Sequence, residues 1–224
     1  MKKIILHFLF PALFLGSFCF SAQADTVTYQ VTVNTSSQSG NYGYVDLQLN
    51  QSILTSWPIA ANIAGFAGGT LNPADANNDA IGVSGNLPGT LTIPPNVLTD
   101  YFEGLTFDNS ISFDVTFSGA GVNLAGLAGG TSGTTFVFGF YDSANNPLFT
   151  SDPSGATGLI EIANDGTVGV NALPGPSGGQ SLATFVPLDN PPVVTPEPST
   201  LSFFVCAGAA FLLLRRSLSH RAAR

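Results

Sequence analysis

The chain has 224 residues, 44% of them hydrophobic and 9% charged, and its formal net charge is −8 at pH 7. Every Lys, Arg and His lies either at or before His7 or at or after Arg215, so the long segment between them contains carboxylates and no cationic side chain. This composition is too apolar for a disordered coil, and it excludes a basic nucleic-acid-binding surface, a phosphate clamp and the His or Lys bases of most enzymes.

The first residues are predicted to form a signal peptide. Lys2 and Lys3 precede the apolar stretch Ile4–Phe20, and small residues follow at Ala22 and Ala24. This order of a basic, an apolar and a small-residue region is that of a secretory signal cut by signal peptidase. We therefore expect residues 1–24 to be removed after Ala24 on export.

Residues 25–186 are predicted to form one β-rich ectodomain. Apolar and polar residues alternate in three runs, which are Thr26–Val33, Val45–Asn50 and Ile111–Phe117. Such alternation is typical of antiparallel strands with one buried face. A fourth run, Thr135–Tyr141, is apolar on both faces and predicts a central strand.

Weaker strand candidates are Ile59–Phe66, Ile81–Ser84, Thr90–Ile93, Phe102–Phe107, Leu159–Ala163, Thr167–Asn171 and Leu182–Val186. The segment Leu98–Leu105 is instead compatible with one short helical turn. Turn residues separate the runs, and Asn164-Asp165-Gly166 predicts a hairpin. About ten short strands joined by polar turns predict an all-β fold, a single β-sandwich that is jelly-roll-like.

One polar segment is a candidate metal site. Asp75, Asn77 and Asp79 would supply oxygen ligands at the first, third and fifth positions of a calcium loop. The pattern then departs from that motif, because Ala80 replaces the expected Gly and Asn86 the expected Glu. The alternative is a solvated loop, and no other cofactor is predicted. Further acids are interpreted as turn residues first and ligands second, namely Asp108, Asp142, Asp152 and Asp165.

Two groups of residues suggest contact with carbohydrate. Asp100 and Glu103 are a possible carboxylate pair for glycoside hydrolysis, although their spacing does not single them out. Aromatic rings that could stack on sugars are Trp57, Tyr42, Tyr44 and Tyr101. Aromatic residues in strands usually belong to the core, which is the alternative for these rings. Because any acidic β-sandwich contains pairs of acids and the usual bases and nucleophiles are missing, we assign no catalytic residue and predict that the protein is not an enzyme.

The C-terminal part is predicted to be a spacer followed by a membrane segment. Residues 187–195 are Pro-rich, which favours an extended linker. Pro196-Glu197-Pro198 follows, then the uncharged apolar run Leu201–Leu214, then Arg215-Arg216. The run is shorter than the roughly 20 residues of a comfortable transmembrane helix, and the double Arg would stop transfer and hold the C-terminus in the cytoplasm.

The Pro-Glu-Pro motif, the apolar run and the double Arg, in this order, resemble the PEP-CTERM sorting signal. The resemblance assigns residues 196–218 to the signal with its transmembrane helix and residues 219–224 to a cytoplasmic tail. It departs from the family at Thr195, where Val or Ala is common. It implies processing by exosortase, a membrane enzyme of Gram-negative bacteria that make exopolysaccharide. An ordinary C-terminal anchor that is never processed is the alternative.

Two classes of function follow from these observations. In the first, the chain is an exported, non-enzymatic protein that is anchored in the inner membrane before processing and then belongs to the cell surface or extracellular matrix. Its processing enzymes are signal peptidase and exosortase, and the resemblance implies a setting of exopolysaccharide or biofilm. In the second, it is a secreted carbohydrate-binding or carbohydrate-active β-sandwich protein. Neither class involves nucleic acid.

Overall fold

The computed structural model describes residues 26–52, 58–77, 82–95, 99–123 and 133–188. The predicted signal peptide, sorting signal and cytoplasmic tail lie outside these ranges, as does the linker beyond Leu188. Within them the chain forms β-strands and three short 3₁₀ helices, Ser36–Gln38, Ala120–Asn123 and Pro176–Gly178. None of the helices in the described ranges is long and apolar enough to cross a membrane.

The strands form two antiparallel sheets. Sheet A contains, in spatial order, β13 (Ala183–Pro187), β1 (Thr26–Asn34), β8 (Ser110–Ser118), β3 (Ala60–Ala67), β6 (Leu91–Ile93) and β5 (Ser84–Gly85). Sheet B contains β12 (Val168–Ala172), β11 (Ala156–Ile162), β9 (Thr134–Asp142), β2 (Tyr42–Gln51), β7 (Thr99–Thr106) and β4 (Thr70–Asn77), and β10 (Pro147–Leu148) pairs with β9. Successive strands cross between the sheets from β1 to β4 and again from β6 to β9.

The strands predicted from alternation are confirmed. In β1 the side chains of Val27, Val31 and Val33 are buried, whereas the intervening polar residues are exposed or half-buried. The same pattern holds in β8, where Ile111 to Phe117 alternate with half-buried polar residues. The run predicted to be central forms β9, which lies between β11 and β2 in the interior of sheet B.

One hydrophobic core lies between the sheets, as in a β-sandwich. Its centre is aromatic, and Phe138 of β9 contacts rings of the opposite sheet. The ring centroid of Phe138 lies 5.6 Å from that of Phe113 in β8 and 5.9 Å from that of Phe185 in β13, both edge to face. A similar contact joins Phe117 to Phe136 at 5.9 Å. The all-β fold with two antiparallel sheets thus follows from apolar faces that meet across one core.

Two segments of sheet B differ from the sequence-based expectations. The segment Asp75–Asp79 was expected to be a loop, but its first residues belong to the edge strand β4 (Thr70–Asn77), which pairs with β7. The helical turn predicted for Leu98–Leu105 is wrong in the described part of that segment, since Thr99–Thr106 is strand β7. Neighbours on both sides of β7 satisfy its backbone groups, which a lone helical turn could not do.

The predicted turns are confirmed where acids form them. Asn164-Asp165-Gly166 joins β11 to β12 as a hairpin, closed by a hydrogen bond from the Ala163 N–H to the Thr167 carbonyl at 2.9 Å. The Asp165 carboxylate accepts the Thr167 N–H at 2.9 Å. Asp142 likewise accepts the backbone N–H groups of Ala144 and Asn146, both at 2.8 Å. These acids stabilise turns by binding neutral backbone donors.

Phe138 provides a test of the core. It is fully buried and touches rings of both sheets, so Phe138→Ala should leave a cavity and lower the free energy of unfolding by about 3–5 kcal/mol. Val137→Ala, on the half-buried opposite face of the same strand, is the matched control and should cost much less. Urea unfolding of the full-length protein, followed by circular dichroism, measures both. Equal losses would contradict the packing described for β9.

Candidate functional site

The outward-facing surfaces of the two sheets differ in chemistry. On sheet A the outer face carries mainly small hydroxyl and amide side chains, several of which bind one another, together with the exposed Val186. Thr28 and Thr116 are hydrogen-bonded at 3.1 Å, and Thr92 donates to Asn62 at 2.7 Å. The single carboxylate among the strands on this face, Asp114, accepts a bond from an amide. These side chains of the outer face are thereby paired with one another within sheet A.

The outer face of sheet B carries aromatic rings and carboxylates, and we call it the acid–aromatic face. Its rings are Tyr42, Tyr44, Phe102 and Tyr141, and the acids beside them are Asp46, Asp75 and Asp100. Glu161 of β11 lies on the same side of the sheet, in the row of Thr135 and Asn50. The strand register places them in adjacent rows across β9, β2 and β7. One row contains Gly139, Asp46 and Phe102, and the next contains Tyr141, Tyr44 and Gly104. Side chains of directly opposite residues in such a row are close enough to contact one another.

The rings of the acid–aromatic face form a continuous series. Tyr42 and Tyr44 meet edge to face at 5.6 Å between centroids, and Tyr44 stacks on Phe102 at 4.7 Å. Phe102 in turn lies 6.1 Å from Tyr141. All four rings are only half-buried, so the series presents apolar ring surface to solvent on an otherwise polar face. Half-exposed aromatic rings of this kind are common in sites that bind planar or ring-shaped ligands.

Asp46 is the buried acid of this face. Its side chain is only 8% exposed, since Phe102 lies beside it in the register and the Tyr141 ring extends over Gly139. A Cβ atom placed on Gly139 would lie 2.8 Å from the Gly155 carbonyl oxygen, so close approach of the backbone at Gly155 favours glycine there, and the Tyr141 ring lies at ordinary contact distance. Asp46 Oδ2 accepts a bond from Gln48 at 2.8 Å, whereas Oδ1 has no hydrogen-bond partner.

The electrostatics of this face reflect the missing cations. Burial raises the pKa of Asp46 to about 6, and the negative charge of Asp100 contributes, although the bond from Gln48 opposes the shift. The pKa of Tyr141 is raised by burial and then by the charge of Asp46. Because no Lys, Arg or His occurs in residues 26–188, nothing in the described part of the chain neutralises these carboxylates.

A second acid of the face is held by neutral donors. Asp75 Oδ2 accepts hydrogen bonds from the Tyr42 hydroxyl and from Asn72, the latter at 2.7 Å. The Tyr42 ring reaches Asp75 across Gly104, where an added Cβ atom would lie 2.0 Å from the Tyr42 hydroxyl oxygen. Gly104 is therefore required for the contact between β2 and β4 at this end of the face.

The structure brings together only part of the predicted calcium site. Asp75 lies in β4 with its Oδ2 atom occupied by Tyr42 and Asn72, and the backbone of Asn77 lies in the same strand. Asp79 and the side chain of Asn77 lie outside the described residues. Among the residues that are described, no group of three or more His, Cys, Asp or Glu could hold a metal ion. Calcium binding by Asp75, Asn77 and Asp79 stays a prediction.

The possible hydrolytic pair is separated by the sheet. Asp100 and Glu103 are three residues apart on β7, and alternation along a strand sends them to opposite faces. Asp100 is half-buried on the outer face, whereas Glu103 is 0% exposed in the core. A pair of carboxylates flanking one glycosidic bond is thereby excluded for these two residues.

Glu103 lies in the core, where its side chain is hydrogen-bonded to a tyrosine of the same strand. The Tyr101 hydroxyl donates to Glu103 Oε2, and the Leu87 N–H donates to the Tyr101 hydroxyl oxygen at 3.3 Å. Burial raises the pKa of Glu103, against the lowering effect of the Tyr101 bond.

Tyr101 is itself fully buried, so it cannot stack on a sugar as predicted. Of the other predicted rings, Tyr42 and Tyr44 lie on the acid–aromatic face and Trp57 lies outside the described residues.

Sequence reasoning missed three members of the acid–aromatic face, namely Asp46, Phe102 and Tyr141. The alternation pattern places Asp46 on a polar strand face and Tyr141 at the end of a central strand, but it does not join them. What joins them is the pairing of β2 with β7 and β9, strands distant in the sequence. Gly104, which makes room for the Tyr42 ring, is a sequence signal that a large side chain needs space on this face.

Comparison with known protein families, with curated proteins and with solved structures finds no match to this chain. The chemistry of the acid–aromatic face therefore rests on its own geometry.

The raised pKa of Asp46 predicts a pH-dependent stability. Because the folded state favours the neutral carboxyl, the stabilisation is fully present below the unfolded pKa near 4 and is lost as the pH rises through about 6. Asp46→Asn should abolish this loss, so that its advantage over the natural protein grows by up to about 3 kcal/mol between pH 4 and pH 7.5. Thermal and urea unfolding across this range test it.

Asp114→Asn is the matched control for that experiment, since it removes one carboxylate from the outer face of sheet A. A pH dependence that is identical in Asp46→Asn and the natural protein would contradict the environment described for Asp46.

Proposed function

We propose that the chain is an exported, non-enzymatic surface protein, sorted through a PEP-CTERM signal, that binds extracellular polysaccharide through its acid–aromatic face. The observation that carries the binding proposal is the series of four half-buried rings beside three carboxylates on one sheet face. The outer face of sheet A, which pairs its own polar groups, offers no such combination. In this proposal the two sheets form a jelly-roll-like sandwich that presents the face to solvent.

Carbohydrate is the ligand class that suits this face best. Sugar rings have apolar C–H faces that pack on aromatic rings, and their hydroxyl groups are donors for carboxylate oxygens. Anionic partners are disfavoured, because the described segment has no cationic side chain to receive them. The exopolysaccharide setting implied by the sorting signal supplies such a ligand outside the cell.

A non-enzymatic role is favoured by the same chemistry. The segment between the signal peptide and the sorting signal contains no His, Lys or Cys, the residues that most often act as bases or nucleophiles. Asp100 and Glu103 lie on opposite faces of β7 and cannot act on one bond. A secreted carbohydrate-active enzyme, the alternative, would need two carboxylates that both reach one glycosidic bond. Asp46 and Asp100 are diagonal neighbours on this face, but Asp46 is buried, so the two do not present a pair of accessible acids.

The binding proposal is tested with a glycan array probed with the full-length protein in detergent. Tyr44→Ala removes the ring between Tyr42 and Phe102 and should weaken binding to any glycan found by about tenfold. Tyr44→Phe keeps the ring and removes only the hydroxyl, so it should retain most of the affinity. Equal affinity of the natural protein and Tyr44→Ala for every bound glycan would rule out the face as the binding site.

The sorting proposal is tested separately. Replacing Pro196, Glu197 and Pro198 together by Ala should leave the C-terminal segment attached, because the motif that exosortase is proposed to read is lost. Replacing Pro191 and Pro192 by Ala is the matched control within the linker and should leave processing unchanged. An epitope placed after Arg224 reports retention of the tail in the membrane fraction. Normal loss of the epitope in the first variant would indicate a different processing signal.

A further inference from the structure

The strongest unexplained feature of the acid–aromatic face is the Asp46 side chain. It is 8% exposed, and its Oδ1 atom is buried without a hydrogen-bond partner. A buried carboxylate oxygen without a partner is costly, and native proteins pair such atoms almost always. Asp46 lies on the outer side of sheet B and not in the core, so a charge bound on that face would lie close enough to act on it.

A second carboxylate adjoins Asp46 on the same face. Asp100 precedes Phe102 by two residues on β7, and Phe102 is the register partner of Asp46, so Asp46 and Asp100 are diagonal neighbours. Such neighbours are typically about 7 Å apart at Cβ. Gln48, the register partner of Asp100, uses its amide on Asp46. The two adjacent carboxylates therefore have one neutral amide donor beside them, which Asp46 uses, and the charge of Asp100 disfavours ionisation of Asp46.

The described chain provides no cation to offset the charge of these two carboxylates. Residues 26–188 contain no Lys, Arg or His, and no cluster of three ligating side chains in the described ranges suits a metal ion. An ammonium group requires fewer ligands than a metal ion, and it also binds to aromatic rings through cation–π contact. Phe102 and Tyr141 provide such rings next to Asp46.

We propose that Asp46 and Asp100 form a subsite for the protonated amine of an amino-sugar polymer whose sugar rings pack on Tyr44, Phe102 and Tyr141. This inference deepens the proposed function and rests on it, since it specifies which polysaccharide the face selects. Asp100, the more exposed acid, contacts the amine directly. Asp46 lies behind it and adds the attraction of a partly desolvated charge, which water screens less than a surface charge.

The geometry distinguishes three classes of polysaccharide. A polymer of glucosamine with free amines satisfies both carboxylates. A polymer of N-acetylglucosamine has the same backbone and ring faces but a neutral amide, so it leaves the carboxylates without a counter-charge. A uronic acid polymer is anionic and is repelled by this face. The amine, and not the sugar ring alone, is thus the determinant of specificity.

The test is calorimetric titration of the full-length protein in detergent, at pH 7 and low salt, with three hexasaccharides: glucosamine, N-acetylglucosamine and galacturonic acid. The glucosamine hexamer should bind at least about tenfold more tightly than the N-acetylated one, and the uronate should not bind. Asp46→Asn and Asp100→Asn should each abolish this preference, whereas Asp114→Asn, which removes one charge from sheet A, should preserve it. Melting temperatures establish that each variant is folded.

Each other outcome contradicts a stated part of the argument. Equal affinity for the glucosamine and N-acetylglucosamine hexamers overturns the amine subsite but leaves polysaccharide binding intact. Absence of binding to every glycan, here and on the array, overturns the proposed function itself. Polylysine is included as a fourth ligand. If it binds as tightly as the glucosamine hexamer and Tyr44→Ala does not weaken either, the face is a general polyanion and the amino-sugar proposal is wrong.

Discussion

The absence of cationic side chains constrains the rest of this structure. Each carboxylate in residues 26–188 must be stabilised by water, by a hydroxyl, by an amide or by a backbone N–H, because no Lys, Arg or His is present. Asp142, Asp152 and Asp165 meet this condition in turns, where neutral donors lower the pKa of each. These exposed acids also remain hydrated, so they need no counter-charge.

Buried acids, which also have no cation near them among the described residues, have a raised pKa and not a lowered one. Glu103 in the core and Asp46 on the outer face of sheet B each keep one oxygen without a hydrogen-bond partner, and burial raises the pKa of both. In proteins with Lys or Arg available, such positions are commonly occupied by ion pairs. Here no cation of the described segment offsets the burial, so folding disfavours the ionised form of both acids.

Much of the fold could be predicted from the sequence because its strongest signals are local. Alternation with a period of two places Val31 and Phe113 on buried faces without knowledge of their partners, and Asn164-Asp165-Gly166 closes a hairpin between adjacent strands. β4 could not be predicted in this way. It is a polar edge strand, and its pairing with β7 determines its conformation, not an alternating pattern of its own. The order of strands within each sheet likewise depends on distant pairings.

The candidate site was less predictable for the same reason. The alternation rule already implies that Asp100 and Glu103 face opposite sides of a strand, but the rule applies only once β7 is known to be a strand. Tyr101 and Tyr44 are equivalent as residues in a sequence, yet one is fully buried and the other lies on the outer face. Their difference is set by register between β2 and β7, strands separated by nearly fifty residues.

The outer faces of sheets A and B differ in how fully their polar side chains are paired. Sheet A pairs Thr28 with Thr116 and Asn62 with Thr92, and these bonds satisfy its polar groups internally. Sheet B has the same architecture but keeps Asp46 buried without a full set of partners beneath Phe102 and Tyr141. An Asn at this position would remove the charge and fit the same space. A residue that lowers stability at neutral pH, on a face that a neutral side chain could occupy, is typical of a site whose strain is relieved by a ligand.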